Sequence, residues 1–355
     1  MTTHSAHAPR PSGKGLPINW RAPVPDRDAR SFLRMLNLAT QLKPIEAYSL
    51  GEIRELWRLT ALALGTRPPL ASVRQFDIQG PDGELSLRIY TPSRQDTLRP
   101  AFVWIHGGGF MVGCLDTAES ICRNIAQAAN CITVAISYRL APEHDLNASR
   151  DDCLAALSWI VDHAQELGID TERLAIGGDS AGGNLTAVIA QESRSQGLKL
   201  ALQVLAYPAT ELLQAFPSLT ENADGYMVTQ HMLGYIQRTI ARSAEHLDLS
   251  SPRLSPRRQR NLRGVAPALI ISAGLDPIRD RWPGLCGAPT QRRCAGTTAA
   301  LSGTVSRFPQ FRRHQWRRQR RVAAHQRGTE GGFRRAACRH HAGNRRCHAG
   351  PRSRQ

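Results

Sequence analysis

The chain has 355 residues, enough for one large core or for a core with a cap, and it carries 46 Lys and Arg against 29 Asp and Glu, a formal net charge of +17. That excess is local: residues 281–355 hold eighteen Arg, no Lys and one acid, Glu330, and so contribute +17, while residues 1–280 balance at 28 basic against 28 acidic. Nowhere do about eighteen apolar residues run consecutively, which excludes a transmembrane helix; Met1 to Asn19 offers no apolar signal segment, and the scattered cysteines form no Cys-x-x-Cys pair, so a cytosolic protein with reduced thiols is expected.

Residues 1–20 are polar with Pro and Gly, a composition without a core of its own. Two helices are predicted next, over 28–40 and 49–65. The second opens on Ser49-Leu-Gly-Glu52, a pattern in which serine and glutamate each satisfy the other's backbone N–H, and ends at Gly65. Its apolar face reads as Ile53, Leu56, Trp57 and Leu64. Packing on a core explains such a face, and so does a cap laid over a site.

Residues 73–91 alternate through Leu85, Leu87 and Ile89 and turn at Pro81-Asp82-Gly83, which predicts a hairpin. Beyond it, strand-like apolar runs at 101–105, 132–136, 174–177, 200–205 and 268–272 alternate with helical stretches. One of these is 151–167, where Cys153, Leu157, Ile160, Val161 and Ala164 recur at helical spacing. The alternation predicts an α/β fold with a mostly parallel sheet and helices on both faces. Functional groups in such folds gather at the carboxyl ends of strands.

Two motifs fall at those ends. Gly178-Asp-Ser-Ala-Gly182 follows the run Leu174-Ala-Ile and precedes a helix-compatible stretch, 184–191. Strand, sharp turn and helix is the setting in which a serine between glycines is lifted above a sheet as a nucleophile. His106-Gly-Gly-Gly-Phe110 follows the run 101–105 and precedes Ser180 by about seventy residues. A glycine-rich loop there can turn backbone N–H groups toward the oxyanion of acyl transfer. Taken singly, the first is a pentapeptide that chance produces and the second a flexible turn. In this order, each after a buried-looking strand, they point to a serine hydrolase. Asp276, after Ile270-Ile-Ser-Ala-Gly-Leu275 and before Pro277, reads alone as a turn former and, beside the two motifs, as the acid of a catalytic triad.

With these residues in view the chain resembles the hormone-sensitive-lipase-like branch of the α/β-hydrolases, bacterial carboxylesterases and lipases. The likeness rests on His106-Gly-Gly-Gly-Phe110, Tyr138-Arg-Leu-Ala-Pro-Glu-His144, Asp151-Asp-Cys153, Gly178-Asp-Ser-Ala-Gly-Gly183 and Asp276-Pro-Ile-Arg-Asp280, and runs from about residue 75 to 280. It implies Ser180 as nucleophile and Asp276 as the acid that orients a histidine. The N–H groups of Gly108, Gly109 and Ala181 would form the oxyanion hole, with His106 bracing the loop rather than acting as base. It implies an N-terminal helical cap over an acyl pocket, a second cap segment at 209–232, a small-molecule ester as substrate, and no cofactor or metal. Asp145-Leu-Asn147 stands where the family has Pro-Phe-Pro, and Ala118 where a histidine is common. Three regions are expected: 1–72 with the cap helices, 73–280 as the hydrolase core, and 281–355 as an Arg-rich irregular tail.

The resemblance also implies a catalytic histidine about thirty residues past the acid, at the end of the last strand. Residues 300–310 contain none; the nearest, His314, lies in Phe311-Arg-Arg-His-Gln-Trp-Arg-Arg318, which is no strand end. Over 281–355 only seven residues are Leu, Val, Ile, Met or Phe, far fewer than a packed domain uses. The last strand and the closing helix are therefore expected to be missing with the base. A nucleic-acid- or membrane-binding tail lacks the aromatics for the first, and a metal cluster of Cys338, His340, His341, Cys347 and His348 matches no zinc spacing. A ligand-binding pseudo-hydrolase that merely lost its base should have kept an intact strand and helix around the change.

A shifted reading frame near codon 281 explains the tail best. Lys, Asp, Ile and Tyr vanish there together and Arg takes over, as in GC-rich text read out of register. Trp282-Pro-Gly-Leu-Cys-Gly287, read one nucleotide later, must give Gly and can then give Arg-Ala-Tyr-Ala, the run with which the family continues. In the same frame Phe308-Pro-Gln-Phe311 can read Phe-His-Ser-Phe or Phe-His-Asn-Phe. That puts a histidine 33 residues after Asp276.

Overall fold

Each central strand carries apolar side chains on both faces, and the molecule is layered accordingly. In β3 (Arg99–Ile105) Val103 and Ile105 face one buried cluster, with helices α4 (Leu146–Asp162) and α6 (Ala181–Glu192). Phe102 and Trp104 face a second, with α3 (Leu115–Ala129). Residues of period two on a strand point to opposite sides, so a strand apolar throughout must be covered twice. The structure, a computed structural model, describes Pro25 and residues 27–94, 97–281, 285 and 297–301.

The remaining elements are α1 (Arg27–Leu42), α2 (Leu50–Leu64), β1 (Ser72–Gly80), β2 (Gly83–Thr91), β4 (Ile132–Ser137), α5 (Ala164–Leu167), β5 (Ile169–Asp179), β6 (Leu202–Ala206), α7 (Pro217–Glu221), α8 (Gln230–Ala244), β7 (Ala268–Ala273) and β8 (Thr297–Leu301). The eight strands form one sheet in the order β1-β2-β4-β3-β5-β6-β7-β8. β1 and β2 make the predicted hairpin, and β2 pairs antiparallel with β4; every later pairing is parallel. Chain direction across the sheet reverses between β3 and β5, the switch point at which such sheets open a crevice at their carboxyl edge.

Several expectations need correction. Residues 297–301 do form a strand, paired in parallel with β7 from Leu269↔Thr297 to Ala273↔Leu301, so the prediction that no strand follows 268–272 is overturned. Ladder pairing is made by backbone groups, and a short Thr-Thr-Ala-Ala-Leu segment lacks the bulky apolar run by which the other strands are read. The closing helix, His314 and the Cys338–His348 group lie outside the described residues. Helix α4 starts at Leu146, five residues before the prediction. Asp145 caps it, its carboxylate accepting from Ala148 N–H at 2.9 Å, so the departure Asp145-Leu-Asn147 makes a helix start. The chain then breaks at His163 before α5. On α2 the capping box of Ser49 and Glu52 forms as read, but Leu56 and Leu64 are exposed and only Ala61 is buried. Gly65 ends the helix in extended rather than left-handed backbone.

Candidate active site

The register of two neighbouring strands brings the motifs together. β3 pairs in parallel with β5 so that Ile105 stands opposite Gly178, and the loops that follow, His106–Phe110 and Asp179–Ala181, leave the sheet side by side. Ser180 then takes φ 52° and ψ −115° between β5 and α6, backbone that an L-residue adopts only under constraint. The constraints are on hand: Ser180 N–H donates to Ala206 O at 2.9 Å, and Ser180 O accepts from Asn184 N–H and Ala209 N–H, both at 3.0 Å. Close passage of the two loops requires the flanking glycines. A Cβ on Gly178 would stand 2.5 Å from Ile105 O, and one on Gly182 would overlap the same carbonyl.

The glycine loop is fixed to this elbow. Gly107 N–H donates to Asp179 Oδ1 at 2.8 Å. Gly108 and Gly109 take φ 131° and 61°, and Gly108 O turns inward to accept from Met111 N–H at 3.1 Å and Val112 N–H at 3.0 Å. The turn and loop bonds of the described residues leave the N–H groups of Gly108, Gly109 and Ala181 unspent. Ala181 begins a helix, where an N–H has no acceptor within the helix and the dipole is positive.

His106 lies under the loop. It is buried, its ring stacks on Tyr138 with centroids 4.4 Å apart, and Tyr138 O–H donates to His106 O at 2.8 Å. Burial pushes its pKa down to about 4, so it is neutral near pH 7; since a carbonyl only accepts, Nδ1–H donates to Gly107 O at 2.9 Å. This proton is already committed, which fits a brace rather than a base.

Asp276 follows β7, two strands from β5 on the same edge of the sheet. It is fully buried, accepts from Ile278 N–H through Oδ1 at 2.9 Å, and is held through its own carbonyl by Asn222 Nδ2 at 3.0 Å. Ser180, Gly108, Gly109 and Ala181 line a cavity of about 400 Å³; Asp276 does not, although Ile278 and Arg281 beside it do. Of the two expected triad residues, Ser180 lines this cavity and Asp276 does not. A triad acid addresses the base and not the substrate, so burial behind the cavity lining suits that role. Among the described residues no histidine lines the cavity.

The roof is only partly where the sequence put it. Ile45, Ile53 and Trp57 come from the N-terminal cap, but a larger share comes from α8, including Met232, Leu233, Ile236 and Ile240. The expected second segment stopped at residue 232, two residues into this helix. Its signal was Thr229, whose side chain caps it by accepting from Met232 N–H. Arg54 was also missed. From α2 its Nε–H donates to Met111 O at 2.9 Å, and its guanidinium forms a fork with Glu143 at 2.8 and 2.7 Å, joining the cap to the glycine loop.

Comparison with known proteins is consistent with this geometry. Residues 102–290 match a family described as the alpha/beta hydrolase fold. The chain is 40% identical over 217 residues to esterase LipI of Mycobacterium tuberculosis, 60% of this chain and 67% of that one. It is 32% identical over 291 residues to an ethyl acetate hydrolase of Pseudomonas putida, 79% of this chain and 91% of that one. Among solved structures, a hyperthermophilic esterase of Pyrobaculum calidifontis superposes with a TM-score of 0.74 at 31% identity, over 81% of this chain and 92% of that one.

Proposed function

The chain belongs to the α/β-hydrolase fold family, in its hormone-sensitive-lipase-like branch of ester hydrolases, and from that premise we propose that it cleaves short-acyl carboxylic esters through an acyl-Ser180 intermediate. The observation that carries this is Ser180 at φ 52° on a strand-to-helix elbow, sharing one cavity with Gly108, Gly109 and Ala181. Ser180 Oγ attacks the ester carbonyl carbon. The three N–H groups take the charge that develops on the carbonyl oxygen, where fixed dipoles count for more than water because they need no reorganisation. The alcohol leaves with the proton that the base took from Ser180, and water releases the acid in the second step. A cavity of about 400 Å³ under an apolar roof favours a short acyl chain. Free Cys114, Cys122, Cys131 and Cys153 support a cytosolic setting.

The base is the histidine that a shifted frame would encode 33 residues past Asp276. Read as it stands, the sequence has no histidine from residue 277 to 313, and loss of one triad member costs on the order of 10⁴–10⁶ in rate. The test is p-nitrophenyl acetate turnover by this chain, by a chain with the frame restored beyond codon 281, and by Ser180→Ala in each. Fast, Ser180-dependent turnover by the chain as it stands would overturn the account of the base. A nucleotide sequence with a stop, or without CAC across codons 309 and 310 in the other frame, would overturn the frame.

A further inference from the structure

An apolar cavity in an ester hydrolase has little use for a buried cation, yet Arg281 lines this one. The residue is 8% exposed, and its side chain makes no hydrogen bond or ion pair among the described residues. Only its backbone is used: Arg281 O accepts from Thr210 Oγ1 at 2.9 Å, and Arg281 N–H donates to Ile278 O at 3.1 Å. Other arginines nearby are engaged, the buried Arg279 and the exposed Arg258 alike. Arg279 is bound to Asp280 and Glu221 at 2.7 and 2.9 Å, and Arg258 to Glu211 at 2.8 Å, which spends that carboxylate.

A guanidinium stays protonated at any pH a protein survives, so burial cannot be relieved by losing the charge. Desolvation pulls its pKa below the ordinary arginine value, against the through-space attraction of Asp276 and Glu211. Asp179 is the other charged side chain on the cavity wall among the described residues, and it accepts the Gly107 N–H. Arg281 is therefore a charged residue with a planar fork, nine-tenths withdrawn from water, in the lining of the space where substrate would sit. A carboxylate matches that fork in charge and in bidentate geometry.

We propose that Arg281 is an anion-recognition residue of this cavity and that the ligand class it selects carries a free carboxylate. The inference rests on the Ser180 reading for where the ester lies, not for the binding of the anion. Two sources share the chemistry: a hemiester of a dicarboxylic acid, bound as substrate, and the carboxylic acid released by hydrolysis, bound as product.

Calorimetric titration of the full-length Ser180→Ala chain separates them without turnover. Hexanoate is compared with hexanamide, and monomethyl adipate with dimethyl adipate. At least one charged ligand is expected to bind about tenfold tighter than its neutral partner. Arg281→Met should bring the pair within about twofold, while Arg281→Lys retains part of the preference. A preference confined to hexanoate assigns the product, one confined to monomethyl adipate assigns the substrate, and both together assign a shared carboxylate site. Equal affinities for charged and neutral ligands, or a preference that survives Arg281→Met, would overturn the proposal. Should the Met variant fail to fold, the charged-against-neutral comparison in the parent chain and in Arg281→Lys still decides. Labelling of Ser180 by a fluorophosphonate is a separate readout, so failure of the nucleophile and failure of the anion site are told apart.

Discussion

The two ends of the proposed catalytic line are held very differently. At Ser180 the backbone is gripped from three sides, by β6 through Ala206, by α6 through Asn184 and by the glycine loop through Asp179 and Gly107. At Asp276 the acid is more deeply buried but held by fewer and more local bonds among those described, Ile278 N–H donating to its Oδ1 and Asn222 Nδ2 to its carbonyl. The first region lies wholly within the electrically balanced 280 residues, and the second borders the segment that carries +17. A nucleophile with its oxyanion donors is a local device, built from two adjacent strands. An acid–base pair needs in addition a base from the segment beyond β7, so a change confined to the end of the chain would remove the base and spare the nucleophile.

Restoring the frame tests that contrast most strongly. Turnover of p-nitrophenyl acetate should rise by about 10⁴-fold or more, with the thermal unfolding midpoint rising as well. Intruding on the intact end should cost stability instead. Gly178→Ala places a Cβ against Ile105 O, and a loss of about 3 kcal/mol or outright failure to fold is expected in urea titration. An unchanged midpoint would show that the strand and helix do not pass as closely as described.

A smaller effect follows from His106. Its folded pKa, about 4, lies below the unfolded value of 6.5, so between those values the unfolded chain binds more protons and stability falls as the solution is acidified. From pH 7 to pH 5 the loss amounts to about 2 kcal/mol from this residue, read as a shift in the urea midpoint that His106→Gln abolishes. Smallest is the cap anchor. Arg54 and Glu143 are part-exposed, so Arg54→Ala should cost less than about 1 kcal/mol in stability. It should raise KM several-fold in the frame-restored enzyme while leaving kcat within about twofold, because it ties α2 to Met111 without touching Ser180.

What the sequence made legible follows the same division. Elements set by local chemistry stood out: the Ser49–Glu52 box, the hairpin at Pro81-Asp-Gly83, and the elbow, whose glycines are dictated by close passage. Strand β8 did not, because a five-residue parallel edge strand is specified by backbone pairing with β7 and its residues lack a bulky apolar run. The share of the roof supplied by α8 was hidden too, since its apolar stripe reads like any core-facing helix until the cavity beneath it is seen. Arg281 was invisible for a third reason: it is the first residue of an Arg-rich segment, and nothing in composition sets apart the one that is buried.

The proposed loss of Ser180's partner base with the reading frame can be read on the serine itself. Reaction of the chain and of its frame-restored form with a fluorophosphonate, followed by peptide mass spectrometry, tests it most directly. One adduct is expected, on Ser180, forming rapidly in the restored form and slower by orders of magnitude in the chain as it stands. An adduct on another serine, or equal rates in the two forms, would contradict it.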